Sequence, residues 1–500
     1  MRSNQYYVAI DLGSNSFHML IVRVVAGSVR IIAKIKRRIR LAEGIRSDGT
    51  LNPNVHQRAL DCLAIFSDRV SDIAPENIRA VGTATLRKIN PQDPFLARMQ
   101  DTLGHPIQII SGEDEAETIY QGVAHTSAAR SQLMVCDIGG ASTEIAIGSG
   151  FQSHHTLSLD MGCVTWKTAY FPQGVITKQN VERAIGDAEQ LIAPHQALFV
   201  RSQKTRVVGA SGTFKALQDI ALQRQLSQRF RLPWLESLLD EILLFENLNH
   251  ISIEGLKADR ALVLLPGLCI LIALFRQLNL KYVEATEAAL REGLIYSMLT
   301  SLQHNDVQLR TLKSLAEHYQ TDVTQTERVI KLYTQLSSGV GMAEALPKSS
   351  KALSRAVAFL HEIGQSLSYK HAGKHSRYLL KHTDLPGFTL RQRSSLLSLL
   401  EAVTGIIDDD NLPKKLPDTA PMALLSRILR LSIICCQRRR NDAMPNCSLS
   451  FDNNNTNMLI LHLPANFLAT NPYLADLLNE ESRFQQSFGG LQLRENVSLE

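Results

Sequence analysis

The chain has 500 residues, of which 44% are hydrophobic and 20% are charged. A chain of this length exceeds what one hydrophobic core usually supports, so we expect roughly two to four domains of an ordinary globular protein. The net charge of +5 does not indicate a nucleic-acid-binding protein, although it permits local basic patches that attract polyanions.

The cysteines and the apolar runs bear on the cellular compartment. The cysteines lie mostly in apolar runs and form no Cys-x-x-Cys pair, as expected of buried, reduced thiols in the cytosol. They are Cys62, Cys136, Cys163, Cys269, Cys435, Cys436 and Cys447. Residues 1–7 contain no apolar targeting core, and the most apolar stretch, 261–274, is shorter than the ~20 residues that span a bilayer. We therefore expect a cytoplasmic protein without a membrane partner, in which 261–274 is a buried helix.

A hairpin with phosphate-binding character lies close to the start of the chain. The strand-like run 6–10 is followed by residues 11–18, Asp-Leu-Gly-Ser-Asn-Ser-Phe-His, and then by the apolar run 19–22. A strand that ends at an aspartate and turns back through glycine and hydroxyl residues presents backbone N–H groups that can cradle phosphate. Such turns also occur without any ligand, so one copy by itself carries little weight.

A basic strand follows the first hairpin. Residues 29–40 alternate like a strand, and their basic side chains form either a solvated face or an electropositive wall for a phosphorylated ligand. These side chains are Lys34, Lys36, Arg37, Arg38 and Arg40. Residues 55–70 then have helical spacing, and 79–85 are strand-like.

Three acidic residues open the next predicted helix. Residues 107–110 are strand-like, and Ser111 can cap the helix that follows. Glu113, Asp114 and Glu115 stand at its start, where acidic side chains complement the helix dipole without any chemistry. Because this helix leads directly to a second hairpin, a role in a functional site is the alternative.

The second hairpin repeats the pattern of the first. The apolar run 133–136 ends at Asp137, Gly139-Gly140 forms the turn, and Ser142-Thr143-Glu144 leads into another apolar run. Two copies form an internal repeat, and two facing hairpins would hold a phosphate chain from both sides. Asp137, at the end of its strand, can hold a cation against that phosphate.

A third turn and its neighbours complete the predicted α/β region. Residues 178–199 are helix-like, 205–208 are strand-like, and 209–213 (Gly-Ala-Ser-Gly-Thr) start a helix whose N–H groups suit an anion. The pattern predicts a strand at 282–285 and a helix at 289–299. Strands that alternate with helices up to residue 300 predict an α/β architecture built as two related halves.

Beyond residue 305 helical periodicity dominates. The helical segments are 307–319, 323–338, 351–366, 391–404 and 421–438. Several histidines near 361–382 permit a metal site, but Glu362 stands where a metal-dependent phosphohydrolase of the HD type has aspartate, which favours solvated or capping histidines. Residues 447–451 and 458–463 flank an Asn-rich turn and predict a β-hairpin in a small terminal domain.

Six motifs, in one order, resemble those of the exopolyphosphatase/guanosine pentaphosphate phosphohydrolase (Ppx/GppA) family. They are residues 11–18, 85–87, 111–116, 137–144, 209–213 and 290–293. Ala141 stands where many members have glycine. In this respect the sequence resembles the guanosine pentaphosphatase branch of the family. Glu287-Ala288 stands where members often have glycine, so the loop before 290 is expected to pack differently.

The resemblance covers nearly the whole chain and implies its architecture. It implies two α/β domains of the actin-like, ribonuclease H-like ATPase fold (ASKHA superfamily), followed by an all-α HD-like domain and a small mixed α/β C-terminal domain. The expected boundaries are 1–122 and 123–303 for the actin-like domains, each with one phosphate hairpin. The helical domain, without the metal set, is expected at 304–444 and the last domain at 445–500.

The resemblance also implies roles for single residues. Asp11, Asp137 and Glu144 would hold Mg²⁺. Glu115 would be the general base on the attacking water, and Arg87 would neutralise charge. The residues implied to bind phosphate are Gly13, Ser14, Asn15, Ser16, Gly139, Gly140, Ala141, Ser142, Thr143, Ser211 and Gly212. These residue types suit phosphoryl transfer, in which catalysis is mostly positioning and neutralisation of charge.

The function implied is Mg²⁺-dependent removal of the 5′-terminal phosphate of guanosine pentaphosphate (pppGpp) to give ppGpp in the stringent response, with exopolyphosphatase side activity. An exopolyphosphatase that acts processively on long-chain polyphosphate is the alternative, because both branches share the catalytic motifs. A phosphotransferase lacks a visible acceptor motif here, and a non-catalytic alarmone sensor would not need all four carboxylates. The resemblance further implies a homodimer with basic grooves, for which Arg38, Arg40 and Arg438–440 are candidates, and no nucleic-acid partner.

Overall fold

The computed structural model describes residues 5–496 except 26, 47, 91–92, 128–131, 203–204, 300–305, 342–347, 404–415, 418, 454 and 456. The chain forms two compact units, Met1–Val307 and Gln308–Glu500. The domain boundaries expected inside each unit stay a prediction.

Two mixed sheets of the first unit share one topology. In the described residues the first sheet has the order β3-β2-β1-β4-β5, with β1 (Tyr6–Leu12), β2 (Ser16–Val25), β3 (Ser28–Arg38), β4 (Ile78–Gly82) and β5 (Ile107–Ile109). The second has the order β10-β11-β9-β6-β7-β8, with β6 (Gln132–Ile138), β7 (Thr143–Ser149), β8 (Gln152–Leu159), β9 (Arg206–Ala210), β10 (Arg229–Phe230) and β11 (Val283–Ala285).

The sheets correspond strand by strand at their centres. In each, three consecutive strands form an antiparallel meander, and a later strand lies parallel to the first strand of that meander, β4 beside β1 and β9 beside β6. The prediction of an α/β architecture with two related halves is therefore confirmed.

The helices of the first unit include a pair that joins the two sheets. They are α1 (Leu41–Gly44), α2 (Pro53–Val70), α3 (Ala84–Arg87), α4 (Phe95–Leu103), α5 (Gly112–Thr126), α6 (Cys163–Tyr170), α7 (Lys178–Ile192), α8 (Ser211–Gln223), α9 (Leu232–Leu243), α10 (Ala258–Gln277) and α11 (Leu290–Met298). α11 packs on β1 and β2, while α5 packs on β6, β7 and β8. One hydrophobic cluster contains side chains of both sheets and both helices, such as Leu20, Tyr120, Val135 and Ile295.

Glycines allow α5 and α11 to approach each other closely. A Cβ added at Gly122 would lie 2.5 Å from the carbonyl oxygen of Ala289, and one at Gly293 would lie 1.9 Å from that of Thr118. No larger side chain fits at either position without movement of a backbone. Because the first turn of α5 carries Glu115 and that of α11 carries Arg291, this contact also sets the spacing of two residues at the site.

The most apolar helix lies inside the first unit. α10 contains Pro266 and is long and apolar enough to cross a membrane, but 72% of its most apolar window, Arg260–Gln277, is buried in the protein. Its residues from Leu264 to Leu274 belong largely to the core beneath the second sheet. The prediction of a buried helix here is confirmed.

The second unit combines helices with a small sheet around one hydrophobic core. Its helices are α12 (Val307–His318, beginning at the unit boundary), α13 (Val323–Gly339), α14 (Lys348–Leu360), α15 (Ala372–Lys381), α16 (Leu390–Ala402), α17 (Ala420–Cys435), α18 (Phe467–Thr470) and α19 (Pro472–Gln485). β12 (Ser448–Phe451) and β13 (Leu459–Leu463) form the expected hairpin, and β14 (Leu491–Glu495) pairs parallel with β13. The HD-like character of the helices stays a prediction.

A few predicted boundaries are wrong for identifiable reasons. The strand predicted at 79–85 ends at Gly82, and α3 begins two residues later. The helix predicted at 178–199 ends at Ile192, because Pro194 lacks the N–H of a regular helix and the chain continues as a 3₁₀ turn. The helix predicted at 351–366 ends at Leu360 and is followed by a 3₁₀ turn, Ile363–Ser366. Thr404, the predicted end of another helix, lies outside the described residues.

Candidate active site

A cavity of about 350 Å³ brings the three predicted turns together. Its wall contains most of the residues predicted to form the site. These are Asp11, Gly13, Ser14, Asn15, Ser16, Glu115, Asp137, Gly139, Gly140, Ser142, Glu144, Ser211 and Gly212. Segments that are more than a hundred residues apart in the sequence therefore meet at one place.

The two hairpins carry their polar residues in the same register. Asp11 on β1 pairs with His18 on β2, and Asp137 on β6 pairs with Glu144 on β7, each one residue pair before the end of its ladder. Glu144 is thus the counterpart of His18 in the other half. The repeated fold places an acidic residue on the first strand of each hairpin, whereas the second strand differs between the halves.

The turns of the two hairpins touch each other at Gly140. A Cβ at this position would lie 3.1 Å from the Cβ of Ser14 and 3.6 Å from that of Asn15. The turn of the second hairpin closes through a hydrogen bond from the Gly139 N–H to the carbonyl of Ser142, at 2.9 Å. Because Gly140 has no side chain, a ligand can lie directly beside the backbone of the turns. Exposed turn backbone of this kind favours a phosphate chain.

Buried carboxylates with raised pKa values line the inner part of the cavity. Burial raises the pKa of Asp137 to about 7, opposed by the neighbouring hydroxyl of Ser211 and helped by the charge of Asp11. Burial, followed by the charges of Glu115 and Asp137, also raises the pKa of Glu144 well above its ordinary value. Side chains that repel one another in this way are stabilised by a bound cation.

These carboxylates fit a Mg²⁺ ion that is held partly by the protein and partly by the phosphates of a substrate. Among the described residues, no three His, Cys, Asp or Glu side chains are arranged to hold a metal ion by themselves. Mg²⁺ commonly binds through one or two carboxylates, several waters and the phosphates of the substrate, so a complete protein cage is not required. The carboxyl oxygens of Asp11, Asp137 and Glu144 provide ligands of the kind that this chemistry requires.

Glu115 is held at the cavity wall by Arg87. Ser111 caps α5 by accepting a hydrogen bond from the Asp114 N–H at 3.0 Å, which places Glu115 in the first turn with 8% of its surface exposed. Nη1 of Arg87 donates to Oε2 of Glu115 at 2.9 Å and to the carbonyl of Ile110 at 3.0 Å. Burial raises the pKa of Glu115 to about 7, while Arg87 opposes this rise.

Ser211 adopts a backbone conformation that is rare for a residue with a side chain. Its φ is +80° at the start of α8, and its Oγ donates to the carbonyl of Ile138 at 2.8 Å. Strain of this kind persists where the surrounding structure enforces it, and it is concentrated at functional sites. Next to it, a Cβ at Gly212 would lie 2.2 Å from Nη1 of Arg260, so the absence of a side chain there makes room for this guanidinium group.

Three of the predicted site residues do not line the cavity. Arg87 lies behind Glu115, and Ala141 is buried. Thr143 is fully buried on β7, and its hydroxyl donates to the carbonyl of Met161 at 2.6 Å. A contact between these side chains and a phosphate therefore has no support in the geometry of the cavity.

Two buried polar atoms at the cavity have no hydrogen-bond partner among the residues that the structure describes. They are Oγ of Ser16 and Nε2 of His18. His18 contacts Asp11 through Nδ1 at 3.4 Å, and burial lowers its pKa, although Asp11 opposes this change. An unsatisfied hydroxyl and an unsatisfied ring nitrogen on the wall of a cavity indicate a polar ligand.

The cavity also has a cationic wall that the sequence only partly predicted. Lys34 and Lys36 come from the basic strand β3, as one interpretation of that strand proposed, and Arg291 comes from the last family motif. Lys215 and Arg260 also line the cavity and were missed. Lys215 lies two residues after the third turn, and this spacing is the signal that could have found it.

Other basic residues named from the sequence are engaged elsewhere. Arg37, Arg38 and Arg40 do not line the cavity, and Arg40 pairs with Glu43 at 3.7 Å. In the second unit, Arg438 donates to Asn471 at 2.9 Å, while Arg439 and Arg440 pair with acidic residues of the same unit. Among the histidines considered for a metal site, His361 is partly buried, and its Nδ1 contacts the carbonyl oxygen of Ala358 at 2.9 Å.

Comparison with known families gives a consistent result over both units. The profile of the Ppx/GppA phosphatase family matches residues 20–302. The profile described as Ppx/GppA phosphatase, domain III, matches residues 307–482. Together these matches extend over most of the chain.

Curated proteins of similar length have more than two fifths of their aligned residues identical to those of this chain. The guanosine-5'-triphosphate,3'-diphosphate pyrophosphatase of Aliivibrio fischeri strain ES114 is 43% identical over 483 residues, covering 97% of this chain and 96% of that protein. The protein of the same name from Photobacterium profundum is 42% identical over 487 residues, with the same coverage.

Solved structures support the fold over about three fifths of the chain. The Aquifex aeolicus member of the Ppx/GppA family has a TM-score of 0.52 and 22% identity, covering 60% of this chain and 99% of that one. An exopolyphosphatase from Cytophaga hutchinsonii has a TM-score of 0.54 and 21% identity, covering 59% of this chain and 98% of that one. At this level of identity the similarity indicates a shared fold.

Proposed function

The chain belongs to the Ppx/GppA phosphatase family, and from this premise we propose that it hydrolyses pppGpp to ppGpp and phosphate. Full-length relatives with 43% identity that carry the name guanosine-5'-triphosphate,3'-diphosphate pyrophosphatase support this substrate. The observation that carries the proposal is the position of Glu115, a buried carboxylate held by Arg87 on the wall of a cavity between two phosphate hairpins.

Glu115 is the general base in this proposal. A water molecule attacks the terminal phosphorus of the 5′-triphosphate and transfers its proton to the Glu115 carboxylate, while the bond between that phosphorus and the bridging oxygen breaks. A base whose pKa lies near the working pH is effective in such a step and contributes roughly 10²–10⁴-fold. Arg87 fixes the orientation of the carboxylate and, by opposing the rise of its pKa, keeps it able to accept the proton.

The hairpins and the cationic wall position the phosphates. The backbone of both turns, the side chains of Ser14 and Ser142, and the cations Lys36, Arg260 and Arg291 line the cavity. Asp11, Asp137 and Glu144 would hold the Mg²⁺ ion, which neutralises phosphate charge when it is bound. Preorganised donors and cations of this kind stabilise the charge that spreads over the transferred phosphoryl group.

Exopolyphosphatase activity is a second candidate function within the same family. It is favoured by membership of the Ppx/GppA phosphatase family and by the cationic wall, which suits any linear phosphate chain. Both substrates use the same base and hairpins in this proposal. Relative kcat/KM for pppGpp and for long-chain polyphosphate decides which one is the main substrate.

The first experiment measures Mg²⁺-dependent phosphate release from both substrates by the wild type and by Glu115→Gln. We expect the variant to lose at least 10²-fold in kcat while it still binds ppGpp. Glu113→Gln is the matched control, because Glu113 lies in the same helical turn but is exposed and outside the cavity. A near-normal kcat in Glu115→Gln excludes this base. Substrate turnover only in the presence of an added acceptor, with the phosphoryl group transferred to that acceptor and no free phosphate released, points instead to a phosphotransferase.

The assembly and the compartment are further parts of the proposal. Family resemblance supports a homodimer, which light scattering on the purified protein tests. All seven cysteines are free and buried, as expected for a protein that acts in the reducing cytoplasm during the stringent response. Fractionation of cells that express the tagged protein checks this location.

A further inference from the structure

A carboxylate bridges two lysines from opposite halves of the cavity. Oε1 of Glu287 lies 3.5 Å from Nζ of Lys215 on α8, and Oε2 lies 3.9 Å from Nζ of Lys34 on β3. All three residues line the cavity. The Glu287 side chain is 71% exposed, whereas Asp137 and Glu144 are buried, so this bridge lies at the outer edge of the site.

The lysines are arranged like an anion site that a protein carboxylate fills. Nζ of Lys215 is also held by Oε1 of Gln218 at 3.1 Å and by Asp219 at 3.5 Å. It therefore stays in position when Glu287 moves away. Asp219 also pairs with Lys257 at 3.2 Å, so it neutralises only part of the positive charge of Lys215. The remaining positive charge can attract another anion. Two lysine ammonium groups that face each other across a gap suit a phosphate group.

The bridge is built to be displaced. Ion pairs between exposed side chains are weak, because solvent screens them and two flexible chains must be ordered. The backbone beside Glu287 is, in contrast, fixed. The Thr286 N–H donates to the carbonyl of Gly209 at 2.9 Å, and Ala288 is buried. The side chain of Glu287 can therefore swing away while the loop remains in place.

We propose that Lys34 and Lys215 bind the 3′-diphosphate of the substrate, and that Glu287 competes with this diphosphate for the two lysines. The inference rests on the proposed function, because a pppGpp molecule with its 5′-terminal phosphate at Glu115 has a second anionic group to place. A diphosphate carries more negative charge than one carboxylate and displaces it. Lys34 and Lys215 thereby favour substrates with a second phosphate group over those with one phosphate chain alone, and Glu287 weakens that preference.

The test compares Glu287→Gln with the wild type on pppGpp and on GTP, which lacks the 3′-diphosphate. Removing the competing charge is expected to lower KM for pppGpp about three- to tenfold. The value of kcat should not change, because the 3′-diphosphate is bound equally in the substrate complex and in the transition state. KM for GTP is expected to change less than about twofold. Glu182→Gln is the control, because Glu182 is also an exposed partner of a lysine at 3.9 Å but does not line the cavity.

A double-mutant cycle distinguishes competition from a structural effect of the loop. In a Lys34→Gln/Lys215→Gln background, which is expected to raise KM for pppGpp, Glu287→Gln should have no further effect. An equal decrease of KM for pppGpp and GTP, or the same KM in Glu287→Gln and Glu182→Gln, overturns the proposal. Calorimetric binding of ppGpp, which keeps the 3′-diphosphate, separates this inference from the proposed function. Tighter binding to Glu287→Gln supports the diphosphate site even if pppGpp is not hydrolysed.

Discussion

Gly293→Ala tests whether the crossing of α5 and α11 positions the catalytic base. The added Cβ would lie 1.9 Å from the carbonyl oxygen of Thr118, whereas ordinary contact begins at 3.4 Å. The helices must therefore separate by about 1.5 Å, and the obstacle is backbone that cannot rotate away. Thr118 lies one turn after Glu115 on α5, so the base moves with it.

We expect two consequences of this separation. Overpacking between two backbones should cost about 1–3 kcal/mol of unfolding free energy for the first unit. A displacement of this size at a catalytic group should lower kcat about 10²-fold, although residue 293 touches neither substrate nor base. Urea unfolding gives the first quantity, and phosphate release from pppGpp at saturating Mg²⁺ gives the second.

Gly186→Ala provides the matched control. Gly186 also lies within a helix, α7, but a Cβ there meets no atom within 4 Å. We expect this variant to be neutral or to gain up to about 1 kcal/mol, because alanine restricts the unfolded chain more than glycine does. If Gly293→Ala retained wild-type kcat and stability, the reasoning that this helix contact sets the position of Glu115 would be refuted.

Three further predictions concern metal, pH and the second unit. Chelation of divalent ions should abolish phosphate release, which added Mg²⁺ restores; activity that survives chelation would exclude the metal. The raised pKa of Asp137 means that the folded metal-free protein binds a proton that the unfolded chain has released. Its unfolding free energy should therefore fall as pH rises from about 4 to about 7, and Asp137→Asn should flatten that fall; an unchanged profile would contradict the assignment. In the second unit, Arg430 and Glu481 are 1% and 2% exposed and pair at 2.7 Å, so Glu481→Gln should cost about 3–5 kcal/mol by leaving a buried charge unpaired. Asp476→Asn, an exposed change on the same helix, should have little effect in the same urea titration.

The sequence by itself determined the parts of the site that depend on local pattern. The repeat of strand, aspartate and glycine turn predicted two hairpins, because glycine and hydroxyl residues after an apolar strand favour this local geometry. The N-cap at Ser111 likewise predicted a helix start with Glu115 in its first turn, and a hydrogen bond from the Asp114 N–H confirms that cap. A helix at 261–274 was likewise predicted from the apolar run, but α10 is long enough to cross a membrane, so its burial is established by its packing in the core.

The tertiary structure decided which side chains meet. Arg87 lies behind Glu115, and the hydroxyl of Thr143 points to Met161, because the packing of β7 and α5 fixes which face of each element is buried. Lys215 and Glu287 are 72 positions apart in the sequence and were joined to Lys34 only by the closure of two sheets around α5 and α11. Local propensity describes one element at a time, whereas charge pairing across a cavity depends on the distance between elements, which only the packed structure defines.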